Sequence, residues 1–260
     1  EVRGIGADVA SSRASITRPD PMHGPAETLL ADLRRVETER RARAADPALA
    51  AAVQRLKAYQ QRRFETTYAD LLASPRYAAA ARFFLEELYG PHDFTRRDAQ
   101  FGRIVPALVR LFPREVVATV QHLAALHALS EELDTQMARQ LGERALDRAV
   151  YVGLWQAVGQ PGQRRRQIEL THRVGLDLDA YTRNPLLRHS LRMMRAPARL
   201  AGLDALQRFL ESGFDTFRAM HGAQAFLATI VRRETELAAR LFAASEVAQG
   251  PPGDPLRQLP

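Results

Sequence analysis

Apolar residues recur every three or four positions along nearly the whole chain after Pro25, and no segment alternates apolar and polar residues as a strand does. Helix start and stop signals separate these periodic stretches, as at Asp46-Pro47 and Gly90-Pro91. The pattern predicts an all-α protein. Helices are expected at about residues 26–44, 47–73, 75–89, 96–112, 114–141, 144–158, 163–181, 185–195, 201–220 and 223–246.

The predicted helices follow one another through short connections, and each shows one apolar face. This favours a single-domain bundle of about nine or ten helices over residues 25–247. Residues 1–24 mix Gly, Ser, Pro and charge without a period, which predicts a flexible leader. Residues 248–260 contain four prolines and predict a Pro-rich disordered tail. The predicted fold is therefore a helical bundle with disordered N- and C-terminal tails.

The chain has no cysteine, which excludes disulfide scaffolds, zinc ribbons, thiol nucleophiles and iron–sulfur sites. No apolar run approaches the ~18 residues of a membrane span, and the N-terminus lacks the pattern of a signal peptide. We therefore expect a cytoplasmic protein without a transmembrane segment. Glycine-rich phosphate loops, the nucleophile elbow and the His-Glu-x-x-His zinc motif are also missing, so no motif points to an enzymatic reaction.

The formal net charge of +7 is concentrated in one part of the chain. Lys57 is the only lysine among 37 basic residues, a bias typical of GC-rich bacterial genomes. Residues 161–200, however, hold nine arginines against three carboxylates. This excess predicts a surface for an anionic partner: an acidic protein, nucleic acid or membrane head groups. No nucleic-acid-binding motif accompanies it, and a solvated or ion-paired helix face is the alternative. The predicted surface comprises Arg164, Arg165, Arg166, Arg173, Arg188, Arg192, Arg195 and Arg199.

Six ionisable side chains fall on helix faces that the periodicity predicts to be buried, where a charge is costly unless it is paired. They are Glu87, His122, His127, Asp134, His221 and Glu234. Carboxylates with imidazoles suit iron, manganese or zinc, so convergence of these residues would form a metal site or a haem pocket between helices. The alternative is that a separate neighbour satisfies each one, as Glu131 would for His127 and an arginine for Glu234.

One shorter pattern resembles a metal-binding motif. Glu169 and His172 have the Glu-x-x-His spacing of ferritin-like di-iron helices. Both residues lie away from the predicted buried side of their helix, and the chain has no second such motif. The pattern therefore favours a solvated helix face over a di-iron centre.

Four phrases of the chain carry a resemblance to a known family: RFFLEELYGP at 82–91, RIVP at 103–106, LFPRE at 111–115 and LHALSE at 126–131. They resemble an uncharacterised bacterial all-helical family over roughly residues 50–240. The resemblance implies a helical domain. It implies no activity, cofactor or catalytic residue.

Taken together, these features favour a non-enzymatic ligand-binding or partner-binding domain, regulatory in character, with a basic surface at residues 161–200. The alternative is an oxidoreductase-like helical protein that binds a metal or haem at an interior carboxylate and histidine site. Convergence of the six interior residues on one place in the fold would favour the alternative.

Overall fold

The computed structural model describes residues 24–87, 94–244 and 253–260, with the side chain of Glu87 left out. Within these residues the chain forms twelve α-helices, one 3-10 helix and no strand, which confirms the all-α prediction. The helices are α1 (Pro25–Ala45), α2 (Pro47–Thr67), α3 (Ala69–Ala73), α4 (Ala78–Glu87), α5 (Thr95–Leu111), α6 (Arg114–Leu141), α7 (Arg148–Val158), α8 (Pro161–Thr182), α9 (Pro185–Met193), α10 (Arg195–Leu200), α11 (Asp204–Ala219), α12 (Gln224–Ala243) and the 3-10 helix Pro255–Gln258. Within the described residues, ten of the α-helices have nine or more residues, in agreement with the expected nine or ten.

The starts of α2, α7 and α9 carry side-chain caps that satisfy the first free backbone N–H groups. Asp46 accepts hydrogen bonds from the backbone N–H groups of Ala48 and Leu49 at 3.0 Å, and Pro47 is the first residue of α2. Asn184 caps α9 in the same way, with Pro185 as its first residue. These Asx-Pro pairs end one helix and begin the next within a few residues, which gives the bundle its short connections.

Helix α6 is the central element of the bundle. It packs against α1, α2, α5, α7 and α8. Its buried residues include Val117, Leu129, Met137 and Ala138, which point in four different directions around the helix axis. The expectation of one apolar face per helix is therefore wrong for α6. A helix enclosed on most sides buries polar side chains too, and these carry the candidate site.

The C-terminal residues 253–260 pack onto the core. Leu256 and Leu259 are each 2% exposed and pack in one cluster with Leu49 and Leu241. Asp254 accepts from Arg240 at 2.6 Å and caps the 3-10 helix. The prediction of a disordered tail is wrong for these eight residues, because the two leucines lie three residues apart and fill a pocket formed by α2 and α12.

The remaining parts of the predicted tails lie outside the described residues. These are positions 1–23 of the predicted leader and 248–252 of the predicted tail. Among the described residues, no helix is both long enough and apolar enough to cross a membrane.

Candidate functional site

A cavity of about 200 Å³ lies between α6 and the helices around it. Along α6 its lining begins with Val120 and Leu123 and ends with Glu131 and Asp134. At 1.5 Å per helical residue, this wall spans about 21 Å. The cavity is therefore apolar at the end near the start of α6 and polar at the end near Asp134.

Three of the six interior residues that the sequence singled out line this cavity: His127, Asp134 and Glu234. His127 and Asp134 are seven residues apart on α6 and so project from the same face of the helix. Glu234 reaches the cavity from α12. The structure thus brings half of the predicted set to one cavity.

His127 contacts an aspartate that the periodicity of α6 gave no means of finding. Its Nε2 donates to Oδ2 of Asp98, on the first turn of α5, at 2.7 Å. Asp98 also accepts from Arg97 Nε at 3.2 Å and from Arg40. Burial raises the pKa of Asp98, but its hydrogen bond with His127 and the nearby positive charges outweigh burial, so the net shift takes the pKa well below the usual range. The expected pairing of His127 with Glu131 is wrong.

Glu131 has a different pair of partners. Its Oε1 accepts from Lys57 Nζ on α2 at 2.7 Å, and its Oε2 accepts from Arg43 on α1. Burial raises the pKa of Glu131, but the charges of Lys57 and Arg43 outweigh it and lower the pKa to about 2. This carboxylate stays ionised and joins α1, α2 and α6.

Asp134 has a neutral hydrogen-bond partner. Its Oδ1 accepts from Gln60 Nε2 at 2.9 Å. Burial raises the pKa of Asp134, and Lys57 and Arg164 only partly oppose the shift. The protein therefore favours the protonated form of Asp134 more than water does.

Glu234 is paired with an arginine, as the alternative interpretation of the sequence expected. Its Oε1 accepts from Arg63 Nη1 and from Tyr68 Oη, both at 2.6 Å. Arg63 is 4% exposed and also lines the cavity. Glu234 thus connects α12 to α2 through an ion pair with Arg63.

Arg164 was assigned to the partner surface from its sequence segment, and this assignment is wrong. It is 5% exposed, because it follows the Pro161 start of α8 on the face that carries Ile168 and Thr171 into the cavity. Its guanidinium carbon lies 4.2 Å from the centre of the Trp155 ring, and Nη2 contacts Met137 Sδ at 2.9 Å. The buried Nε1–H of Trp155 lies near the phenol oxygen of Tyr151 but does not form a hydrogen bond of normal geometry with it.

Two of the other predicted interior residues, His122 and His221, do not line this cavity. His122 is half-buried beside α8, where burial and the charges of Arg173 and Arg166 lower its pKa. His221 is exposed in the turn between α11 and α12, with a φ of 52°. The side chain of Glu87 lies outside the described part of the structure.

The predicted metal or haem site depends on convergence of carboxylates and imidazoles. Across residues 24–87, 94–244 and 253–260, no three His, Asp or Glu side chains lie close enough together to bind one metal ion. His127, Asp134 and Glu234 share a cavity, but each has its own hydrogen-bond partner. Glu169 is exposed beside Arg166, as expected for a solvated face.

Apart from Arg164, the arginines of the predicted surface have exposed or half-buried side chains. Several of them form ion pairs: Arg166 with Glu169, Arg173 with Asp177, Arg188 with Asp215 and Arg195 with Glu211. Arg165, Arg192 and Arg199 make no salt bridge with any described residue. Within the predicted surface, positive charge that no described salt bridge balances is therefore confined to these three arginines.

Comparison with known proteins identifies the family. The model of one family, described as a domain of unknown function (DUF8198), matches residues 39–248. No curated protein and no solved structure gave a match. The match agrees with the resemblance to an uncharacterised family noted in the sequence, and it covers well over half of the 260 residues. The chain belongs to the DUF8198 family.

Proposed function

We propose that this protein binds a small amphipathic organic molecule in the cavity beside α6. The observation that carries the proposal is the cavity itself: about 200 Å³, with an apolar wall at one end and buried ionisable groups at the other. An apolar cavity of about 150 Å³ is enough to bind benzene. The space therefore admits a molecule of that size or somewhat larger.

The apolar end suits an aliphatic or aromatic body. Phe101, Ile104 and Leu108 on α5 face Val120 and Leu123 on α6 across it. Ligand pockets are commonly lined in this way, with a few polar groups that set the orientation of the ligand. An apolar body bound here would gain roughly 25 cal/mol for each Å² of apolar surface that it buries.

The polar end favours a head group that accepts hydrogen bonds. Trp155 Nε1–H is a buried donor that lies near the Tyr151 phenol oxygen without a fully formed hydrogen bond, and the Arg164 guanidinium stacks on the same indole. A carbonyl, hydroxyl or carboxylate oxygen would satisfy this donor. Lys57 and Arg63 on this wall are paired with Glu131 and Glu234. An ammonium head beside Trp155 would nevertheless meet the Arg164 guanidinium, which already lies over the same indole.

The test uses three small molecules that share an eight-carbon alkyl group and differ in the head group: octanoate, octanol and octylammonium. Trp155 is the only tryptophan in the chain, so its fluorescence reports directly on the polar end of the cavity. We expect octanoate and octanol to change the emission and to raise the melting temperature, since a ligand that binds only the folded state stabilises it. Octylammonium should bind at least tenfold more weakly.

A cavity-filling variant supplies the control for location. Ala124 is buried and lines the cavity, so Ala124→Leu adds three carbon atoms to the space that the ligand would occupy. Ala228, exposed on α12, offers the matched change Ala228→Leu. We expect the first variant to lose octanoate binding and the second to retain it. Equal binding by both variants, or no response to any of the three probes, would rule the proposal out.

A further inference from the structure

Half of the large apolar side chains that are exposed among the described residues fall within fifteen positions. Eight such side chains occur in the described structure, and four of them are Leu186, Met193, Met194 and Leu200, with exposed fractions of 72%, 65%, 52% and 90%. Single exposed apolar residues are ordinary, but a cluster of this kind marks an interaction surface. The cluster belongs to α9, α10 and the joint between them.

Helix α9 has no buried residue, yet it is amphipathic. Leu187 and Leu191 are half-buried and lie on one side of the helix. Leu186 and Met193 are seven residues apart and lie together on a second, exposed side. The helix therefore has one apolar side toward the bundle and another toward the outside, and nothing in the described structure covers the outer one.

Positive charge borders the exposed apolar side. The segment 183–200 contains five arginines and no carboxylate. Three of them form ion pairs: Arg183 with Asp179 one turn earlier on α8, and Arg188 and Arg195 with Asp215 and Glu211 on α11. Arg192 and Arg199 are exposed and make no salt bridge with any residue that the structure describes.

We infer that this surface binds the face of an anionic lipid bilayer. We call it the α9–α10 face and define it by Leu186, Arg192, Met193, Met194, Arg199 and Leu200. A surface helix with arginines beside exposed Leu and Met matches the pattern of helices that lie in the membrane interface, where the apolar side chains enter the acyl boundary and the cations meet lipid phosphates. The inference does not depend on the cavity ligand.

The same residues fit the other anionic partners less well. Binding to single-stranded nucleic acid uses aromatic side chains on which bases stack, and the segment 183–200 has no Phe, Tyr or Trp. A duplex would be held through its phosphates, and exposed Leu and Met add nothing to that contact. An acidic protein would neutralise the arginines but would need its own apolar patch to cover four large side chains.

The experiment is co-sedimentation of the full chain with vesicles of phosphatidylcholine alone and with 30% phosphatidylserine, at low and high salt. We expect binding to the anionic vesicles to be at least tenfold tighter, and to weaken steeply as salt screens the arginines. Arg192→Gln with Arg199→Gln should weaken binding by about 25-fold, since each cation near such a surface contributes about fivefold. The double change Leu186→Gln and Met193→Gln should also weaken binding to the anionic vesicles. It should further reduce the part of that binding that remains at high salt.

Matched controls separate this surface from general basic or apolar character. Arg165 and Arg166 are exposed near the start of α8, about 25 Å along that helix from the start of α9. Changing both of these arginines to Gln should leave vesicle binding unchanged. Leu111→Gln, at a residue that is 69% exposed, should leave it unchanged as well. Circular dichroism melting of every variant shows whether it is folded.

Four results would overturn the inference. The first is equal binding to both kinds of vesicle. The second is an equal loss in the Arg165 and Arg166 double variant. The third is a preference for duplex or single-stranded DNA over anionic vesicles in the same buffer. The fourth is a dimer, measured by light scattering, that binds no vesicles and that the double change Leu186→Gln and Met193→Gln dissociates. That result would assign the α9–α10 face to a second copy of the chain.

Discussion

Lys57, the only lysine of the chain, donates from Nζ to Oε1 of Glu131 across 2.7 Å. The side chains of the two residues are 12% and 8% exposed, so the contact is nearly dry. Arg43 contacts the other oxygen of the same carboxylate. One carboxylate of α6 therefore neutralises two buried cations, one from α1 and one from α2. Loss of this carboxylate would leave both cations buried without their counter-charge.

The change Glu131→Gln should lower the free energy of unfolding by about 3 kcal/mol at pH 7, because removal of one member of a buried ion pair leaves an uncompensated charge. Urea unfolding measures the loss. The pKa of Glu131 is about 2 in the folded protein against an ordinary value of 4.5. The contribution of the Glu131 charge to the free energy of unfolding is therefore complete above about pH 4.5 and declines as the pH falls toward 2. The unfolding free energies of the wild-type protein and of Glu131→Gln should converge in that range.

The neighbouring residue is the control for this prediction. Glu132 also pairs with an arginine, Arg35, at 2.6 Å, but the two side chains are 26% and 44% exposed. Glu132→Gln should cost less than about 1 kcal/mol, as is usual for ion pairs in contact with water. Equal losses in the two variants would mean that the burial of Glu131 has no energetic consequence.

The change Asp134→Asn should make the protein more stable at pH 7. Burial raises the pKa of Asp134, so its ionisation opposes folding as the pH rises through the ordinary value of 3.8 toward the folded value. Asparagine removes that cost and still offers an oxygen to Gln60 Nε2. Thermal melting from pH 3 to pH 8 should show a gain at neutral pH that disappears in acid.

The corresponding alanine variant tests whether the hydrogen bond matters as well as the charge. Asp134→Ala leaves Gln60 without its acceptor on α6. It should therefore be less stable than Asp134→Asn at every pH. A gain from asparagine that persists at pH 3 would contradict the assignment of the effect to ionisation.

The helices were predictable from local information, and α6 shows why. Its apolar spacing and the flanking Pro113 and Gly142 predict a helix over 114–141, and the structure has α6 as Arg114–Leu141. His127 and Asp134 were found in the same way, since a polar residue on an apolar arc of a long helix is visible in the sequence alone.

The hydrophobic periodicity of the sequence could not predict which residues of different helices contact one another. Asp98 meets His127 across 29 residues, and Arg63 meets Glu234 across 171. A helical pattern specifies which face is buried but not which residue of another helix faces it. Arg164 was misplaced because segment charge was counted without regard to the side of α8 on which it lies. The C-terminal residues were misplaced because their two leucines become core residues only against the surface of α2 and α12.

Leu256→Ala tests the role of the C-terminal 3-10 helix. Leu256 is 2% exposed and packs in the cluster that contains Leu49 and Leu241. Its truncation should cost about 2–4 kcal/mol, as is typical of a buried leucine. Leu200→Ala, at a residue 90% exposed, should change stability by less than about 0.5 kcal/mol. A small effect of Leu256→Ala would mean that the tail adds little to the core.

Two glycines in helices should respond in opposite directions to the same substitution. A Cβ at Gly175 on α8 would lie 2.4 Å from Cδ2 of Leu227, which is 1% exposed on α12. A Cβ at Gly153, exposed on α7, would meet nothing within 4 Å. Gly153→Ala should therefore stabilise the protein by about 0.5–1 kcal/mol through helix propensity. Gly175→Ala should destabilise it by about 1–2 kcal/mol, because overpacking outweighs the same gain.

A double-mutant cycle identifies the cause of the loss at Gly175. In a Leu227→Ala background the side chain that the new Cβ would meet is gone, so Gly175→Ala should cost almost nothing or become stabilising. Gly153→Ala should have the same effect in both backgrounds, since Gly153 has no contact with Leu227. Urea unfolding of the single and double variants measures both differences. An undiminished cost of Gly175→Ala in the Leu227→Ala background would show that the close approach of α8 and α12 is not what requires glycine there.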